Sequence, residues 1–156
     1  MPVIREEDDS PGRRPQHKLK FRRLPGRFAV CQLPADAPVP DWATSGAFVS
    51  ITRSEDELSI VCPGDNVPAG PAGNVKAEHG WMCFKLEGPF PFAQTGVLAS
   101  FIDPLAEQGV PIFAISTYDT DYVLVQESYA AIALATLRGA GHELWSPDDS
   151  WRKLIE

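Results

Sequence analysis

Long apolar runs are missing from this chain. No stretch approaches the roughly 20 residues that a bilayer-spanning helix needs. Cysteine is sparse. Cys31, Cys62 and Cys83 are an odd number with no C-x-x-C spacing, which speaks against a disulfide framework or a zinc site. Basic residues are outnumbered, 14 Lys and Arg against 21 Asp and Glu, for a net charge of −7. That balance argues against nucleic acid or an anionic membrane as partners. The charged opening stretch, Met1 to Lys20, does not read as a secretory signal. The expectation is a reduced, cytoplasmic protein with buried thiols. No nucleophile elbow, P-loop, zinc spacing or dinucleotide fingerprint occurs, so no cofactor and no metal are expected.

What the chain does contain is one pattern written twice. Phe48 to Val61 reads F-V-S-I-T-R-S-E-D-E-L-S-I-V, and Ile112 to Val125 reads I-F-A-I-S-T-Y-D-T-D-Y-V-L-V. Aligned without a gap, Ile51 meets Ile115, Glu55 meets Asp119, Glu57 meets Asp121, and Val61 meets Val125. Each copy is an apolar run, a polar turn and a second apolar run, the pattern of a β-hairpin. A repeat of this kind marks two versions of one unit.

The rest of the chain falls around these hairpins. Residues 1–17 are charged and read as a flexible tail. Residues 18–79 form a first unit: a strand at Leu19 to Leu24, a Pro25-Gly26 turn, a strand over Phe28 to Leu33, one helical turn at Asp41 to Ala43, and the first hairpin. Its last part, Cys62 to Gly80, is rich in Pro and Gly and reads as a linker. Residues 80–146 form a second unit, with a strand over Trp81 to Leu86. Val97, Leu98, Phe101, Ile102 and Leu105 make a helical stripe, with Thr95 placed to cap it and Pro104 placed to kink it. The second hairpin, a helix over Glu127 to Arg138 and a short strand at His142 to Trp145 complete it. Residues 147–156 read as a tail.

Strand, helix, strand, strand, helix, strand is the ferredoxin-like order. The first half keeps the strands and shortens or omits the helices. Cys31 and Cys83 fall at matching places in the duplicated strand, which suggests one common core position. His17, His79 and His142 read as solvated or capping residues.

The segments F-A-V-C-Q-L-P, E-L-S-I-V-C-P, L-E-G-P-F, T-G-V-L-A-S, P-L-A-E-Q-G-V and I-F-A-I-S-T-Y-D-T-D-Y-V-L-V resemble the ACT-domain superfamily. The branch is the one similar to aspartate kinase regulatory domains and the cytosolic arginine sensors of animals. The resemblance covers about Leu19 to Leu144. It implies an α+β fold of two tandem ferredoxin-like (ACT) units, the first with reduced helices, and binding of a free amino acid at a seam between units.

Two places bear on such a site. A helix start at Gln94, Thr95, Gly96 and Val97 offers unpaired N–H groups and partial positive charge to a carboxylate. Its bland reading is an ordinary helix start shaped by glycine. Asp119 and Asp121 sit in the second hairpin turn, where Asp also favours turns for purely local reasons. The resemblance implies that Asp121 binds the α-amine, that Thr117, Tyr118 and Thr120 flank it, and that Pro111 and Ile112 close the pocket from a partner chain. The favoured function is a non-catalytic amino-acid-binding regulatory or sensor protein. It works as a homodimer, with a further protein partner of unknown kind. The alternative is a structural or assembly module without a ligand. A small enzyme using Asp119 and Asp121 would need a base with a partner in a cleft, and no such constellation is visible.

Overall fold

A computed structural model describes residues 16–70 and 75–145. The chain order is β1 (Lys20–Arg23), β2 (Phe28–Leu33), β3 (Ser50–Arg53), β4 (Leu58–Pro63), β5 (Lys76–Leu86), α1 (Val97–Glu107), β6 (Ile112–Ser116), β7 (Asp121–Gln126), α2 (Ala130–Gly139) and β8 (Glu143–Leu144). Single 3-10 turns occupy Asp41–Ala43, Gly64–Asn66 and Glu127–Tyr129. The two predicted tails lie almost wholly outside the described residues.

All eight strands join one sheet organised along β5. The first part of β5 pairs with β2, which pairs with β4, which pairs with β3. The last part pairs with β1 on one edge and with β7 on the other, and β7 pairs with β6. Strand β8 pairs with β1 in parallel. The second unit therefore reads β8-β1-β5-β7-β6, with α1 and α2 connecting its strands. The mixed sheet and two helices make the predicted α+β, ferredoxin-like (ACT) arrangement, and the helices of the first half are reduced to 3-10 turns.

Apolar residues alternate along β5 in the register that this layout needs. Met82, Phe84 and Leu86 face a core with Phe21, Val97, Phe101, Leu105, Val123, Val125 and Leu137. Phe21 meets Phe84 and Phe101 edge-on, at ring-centroid distances of 5.4 and 5.1 Å. On the opposite face, Trp81 and Cys83 pack with Phe28, Val61 and Leu124. Phe48, two residues before β3, closes over that face and stacks on Tyr122 at 4.3 Å. Four strand-to-strand steps along the sheet separate β3 from β7, about 19 Å if the sheet were flat. The chain leading into β3 thus folds back across this face and ties the two units together. Beneath the first unit a third core holds Ala29, Cys31, Leu33, Ala43, Leu58, Ile60 and Cys62.

Several sequence expectations change on contact with this layout. The strand at Leu19 to Leu24 lies in the sheet of the second unit, between β5 and β8, not beside the first hairpin. Strand β5 starts at Lys76, inside the predicted linker. Its polar opening, Lys76 to Gly80, hides the strand from a hydrophobicity reading.

The hairpins are related by 63 residues, not the 64 of the ungapped alignment. Ser54 N–H donates to Glu57 O at 2.9 Å, and Thr117 N–H to Thr120 O at 2.8 Å, so these turns are the equivalent points. The difference matters because a one-residue slip moves every side chain to the other face. The 64-residue offset would match Val61, on the face closed by Phe48, with Val125, on the helix-covered face. Cys31 and Cys83 likewise lie on opposite faces, so they share no common core position, though both are buried free thiols.

His142 is also not solvated; it is 4 % exposed. Pro104 sits inside α1, which continues through it. Proline has no N–H, so the Ser100 carbonyl one turn earlier loses its helical donor. The ring Nε2 of His142 lies 2.8 Å from that carbonyl. The Leu19 N–H donates to Nδ1 of the same ring at 3.0 Å. Since Nδ1 accepts, the proton sits on Nε2, and the neutral ring links β1, α1 and β8.

Candidate functional site

The loop from β5 to α1 and the turn from β6 to β7 meet at one end of the sheet. Thr120, 6 % exposed, donates its hydroxyl to Leu86 O at 2.6 Å. The Phe90 N–H donates to Asp119 O at 2.9 Å. Gly88 is needed for this approach, because a Cβ there would stand 2.8 Å from Asp119 O. Tyr118 and Phe92, both exposed, contact edge-on at 4.9 Å. Within the turn, the Thr117 hydroxyl donates to Thr120 O at 3.0 Å. These contacts tie the turn to Leu86, Phe90 and Phe92, where the chain leaves β5 for α1.

Helix α1 opens on Gly96, with φ 79°, and no side chain caps it. The positive φ explains glycine at this position. Thr95 does not act as the cap; its carbonyl instead lies 2.9 Å from Nε2 of His17. His17 N–H also donates to the Ser100 hydroxyl at 2.9 Å, and that hydroxyl donates to Gly96 O at 2.6 Å. His17, expected in a flexible tail, is therefore attached to the first turn of α1. Gln94 and Thr95 are exposed, and Val97 is buried in the helix-side core.

Asp121 pairs with Ser116 across the hairpin, and the Ser116 hydroxyl donates to its Oδ1. Strand alternation puts Asp121 on the face of Val123 and Val125, which pack with Val97 and Phe101 of α1. Asp121 and the α1 start therefore share one face and one end of the sheet. Thr117, Tyr118 and Thr120 belong to the same end. Pro111 and Ile112 do not: they stand at the other end of β6, about 14 Å along the strand from Ser116.

A second feature at this end escaped the sequence reading. On the face opposite α1, a cavity of about 720 Å³ is lined by Gly46 to Val49, Lys85, Gly88, Pro89, Thr117 to Thr120 and Tyr122. Burial and then the neighbouring Cys83 push the Tyr122 phenol above its ordinary value, while Arg22 pulls the other way. No periodicity pointed to this cavity, because one wall comes from the irregular segment before β3.

Comparison with known proteins agrees with this layout. An ACT domain model matches residues 76–139, and a second model, described as an N-terminal domain, matches residues 26–70. The chain belongs to the ACT-domain superfamily. The subunit 1 of the cytosolic arginine sensor for mTORC1 of Bos taurus is 28% identical over 97 residues, which is 58% of this chain and 30% of that protein. This chain thus spans under a third of that relative's length. The crystal structure of protein Atu0741 from Agobacterium tumefaciens has 42% identity and a TM-score of 0.76, over 83% of this chain and 93% of that one. The regulatory subunit of aspartate kinase from Thermus thermophilus has 12% identity and a TM-score of 0.53, over 74% of this chain and 93% of that one, and shares the fold.

The match boundaries divide the chain near residue 75, within the predicted linker. Among the described residues no helix is long and apolar enough to cross a membrane, and no group of His, Cys, Asp and Glu is arranged to hold a metal ion.

Proposed function

We propose that this ACT protein is a non-catalytic regulatory protein that binds a free amino acid at the end of the sheet where α1 begins. The observation that carries the reading is the uncapped, glycine-opened start of α1 on the same face as Asp121. The first-turn N–H groups would receive the α-carboxylate. Asp121, held by Ser116, would receive the α-ammonium. Gln94, Thr95, Thr117, Tyr118 and Thr120 would border the ligand. Pro111 and Ile112 are remote within one chain, so their contribution requires a second copy. That requirement favours a homodimer, in which the open edge of β6 would also be covered. The division into a first unit over 18–79 and a second over 80–146 belongs to the same proposal, with β1 contributed to the second sheet. The kinship with a cytosolic arginine sensor supports both a sensing role and a cytoplasmic setting. The sensor would pass its signal through a further protein.

A thermal-shift screen of the twenty amino acids against the full chain tests the reading. The expected outcome is a saturable rise in melting temperature with a small subset of them. A flat response across the whole set would refute it and favour a structural module.

A further inference from the structure

We infer that the cavity on the face opposite α1 is a second ligand site, one that takes a small organic carboxylate carrying a flat apolar group. It lies on the other face of the sheet from Asp121 and the start of α1, and shares only the 117–120 turn with the proposed amino-acid site. Lys85 and Tyr122 are cross-strand partners on β5 and β7, and both side chains line the cavity half-buried. Strand alternation places them on the face of Cys83 and Leu124, away from α1 and Asp121. The volume of about 720 Å³ lies in the range of small-molecule sites.

The lining has two characters. One is aromatic: Phe48 stacked on Tyr122, with Tyr118 at the rim. The other is charged, with Lys85 and Asp119 both in the lining. The Lys85 ammonium has no ion pair or hydrogen bond among the described residues. The nearby Arg22 is engaged, its Nε 3.0 Å from Glu87 Oε1. The backbone N–H groups of Ala47 and Phe48, in the segment forming one wall, also have no partner among the described residues. Asp119 is exposed on the hairpin turn beside Tyr118, whereas Lys85 rises from the central strand. The unpaired Lys85 ammonium calls for an anionic acceptor, and the rings call for a flat apolar body. The walls come from both units: residues 46–49 from the first, residues 85–89 and 117–122 from the second. Occupancy would therefore brace the two units against each other.

Calorimetric titration of the full chain with 4-hydroxyphenylacetate, and with tyramine as its cationic counterpart, tests the inference. The carboxylate should bind saturably and tyramine should not. Lys85→Met should weaken the carboxylate roughly 10- to 100-fold, the loss expected for a charge-assisted contact. Tyr118→Ala should weaken it less, and Asp121→Ala should leave it unchanged. No saturable binding of 4-hydroxyphenylacetate, equal binding by tyramine, or unchanged affinity in Lys85→Met would each overturn the proposal. Loss of binding in Asp121→Ala would show a single shared site and overturn it too. Carboxylate binding without any amino-acid binding would keep this site and remove the other.

Discussion

The two units use the same four-residue hairpin turn and cover their sheets by different means. In the second unit, α1 and α2 lie over the sheet, and the core beneath them holds Phe21, Phe84, Phe101, Leu105 and Leu137. In the first unit a 3-10 turn and irregular chain do the covering, and the corresponding core holds Ala29, Cys31, Ala43 and Cys62 beside a few larger residues. A helix is about 10 Å across and leaves a thick layer for large side chains to fill. A loop lies closer to the sheet, so small side chains fill the gap. The size of the inward residues thus follows what covers them. The proposed amino-acid site follows the same difference, since among the described residues the first unit has no α-helix start to offer a carboxylate.

The contrast can be broken most strongly through packing. Phe101→Ala should destabilise the protein by about 3–5 kcal/mol in urea titration, because helix and sheet are both fixed around the void. Leu58→Ala, equally buried in the first unit, should fall at the lower end of about 2–5 kcal/mol, since loops relax more readily onto a cavity. A larger loss from Leu58→Ala would contradict the account of the two coverings.

A smaller effect is expected where the helical unit recruits the N-terminal strand. His142→Leu leaves the Leu19 N–H and the Ser100 carbonyl without the ring. The cost should be about 1–3 kcal/mol, the scale of unsatisfied buried polar groups. Hydrogen exchange should accelerate in β1 and α1 ahead of β3 and β4. Uniform acceleration throughout would show that His142 does not act locally.

The smallest effect concerns the ion pair between Arg27, at the start of β2, and Glu127, after β7. The hydrogen bond from Arg27 holds the Glu127 carboxyl below its ordinary value. The folded-state value being lower, the stabilisation is complete above the unfolded carboxylate range, about pH 4.3, and is lost as pH falls through the lowered value. Both groups are exposed, so the effect is slight and salt-screened. Arg27→Ala should flatten stability against pH in that acidic window, with a slight loss near neutrality and none at the acid end. A loss at pH 7 as large as that of His142→Leu would assign the pair a role this account does not give it.

Much of this fold is legible in the residues, and the exceptions have physical causes. Alternating apolar residues mark β2, β4 and β7, and the stripe from Val97 to Leu105 marks α1, because each buries one face. The polar start of β5 buries little, so only its pairing with β2 reveals it as a strand. The place of β1 depends on strand order, which no local pattern encodes. The repeat could be seen but not its true register, since Ser54 and Thr117 close equivalent turns through hydrogen bonds that similarity of apolar residues does not report. His142 looked peripheral because its partners, Leu19 and Ser100, are distant in sequence. At the site, the glycine-opened helix and the hairpin turn were readable, while the cavity beside Lys85 depends on Phe48 crossing the sheet.

The central claim is that the second unit binds an amino acid at the start of α1 and the first does not. Isothermal calorimetry with the amino acid giving the largest thermal shift tests it most directly, on the parent, Asp121→Ala and Glu57→Ala. Asp121→Ala should lose about 1.5–3 kcal/mol of binding free energy, the scale of a hydrogen bond to a charged group. Glu57→Ala, in the equivalent turn of the first unit, should bind as the parent does. Parent-like affinity in Asp121→Ala, or an equal loss in Glu57→Ala, would contradict the claim.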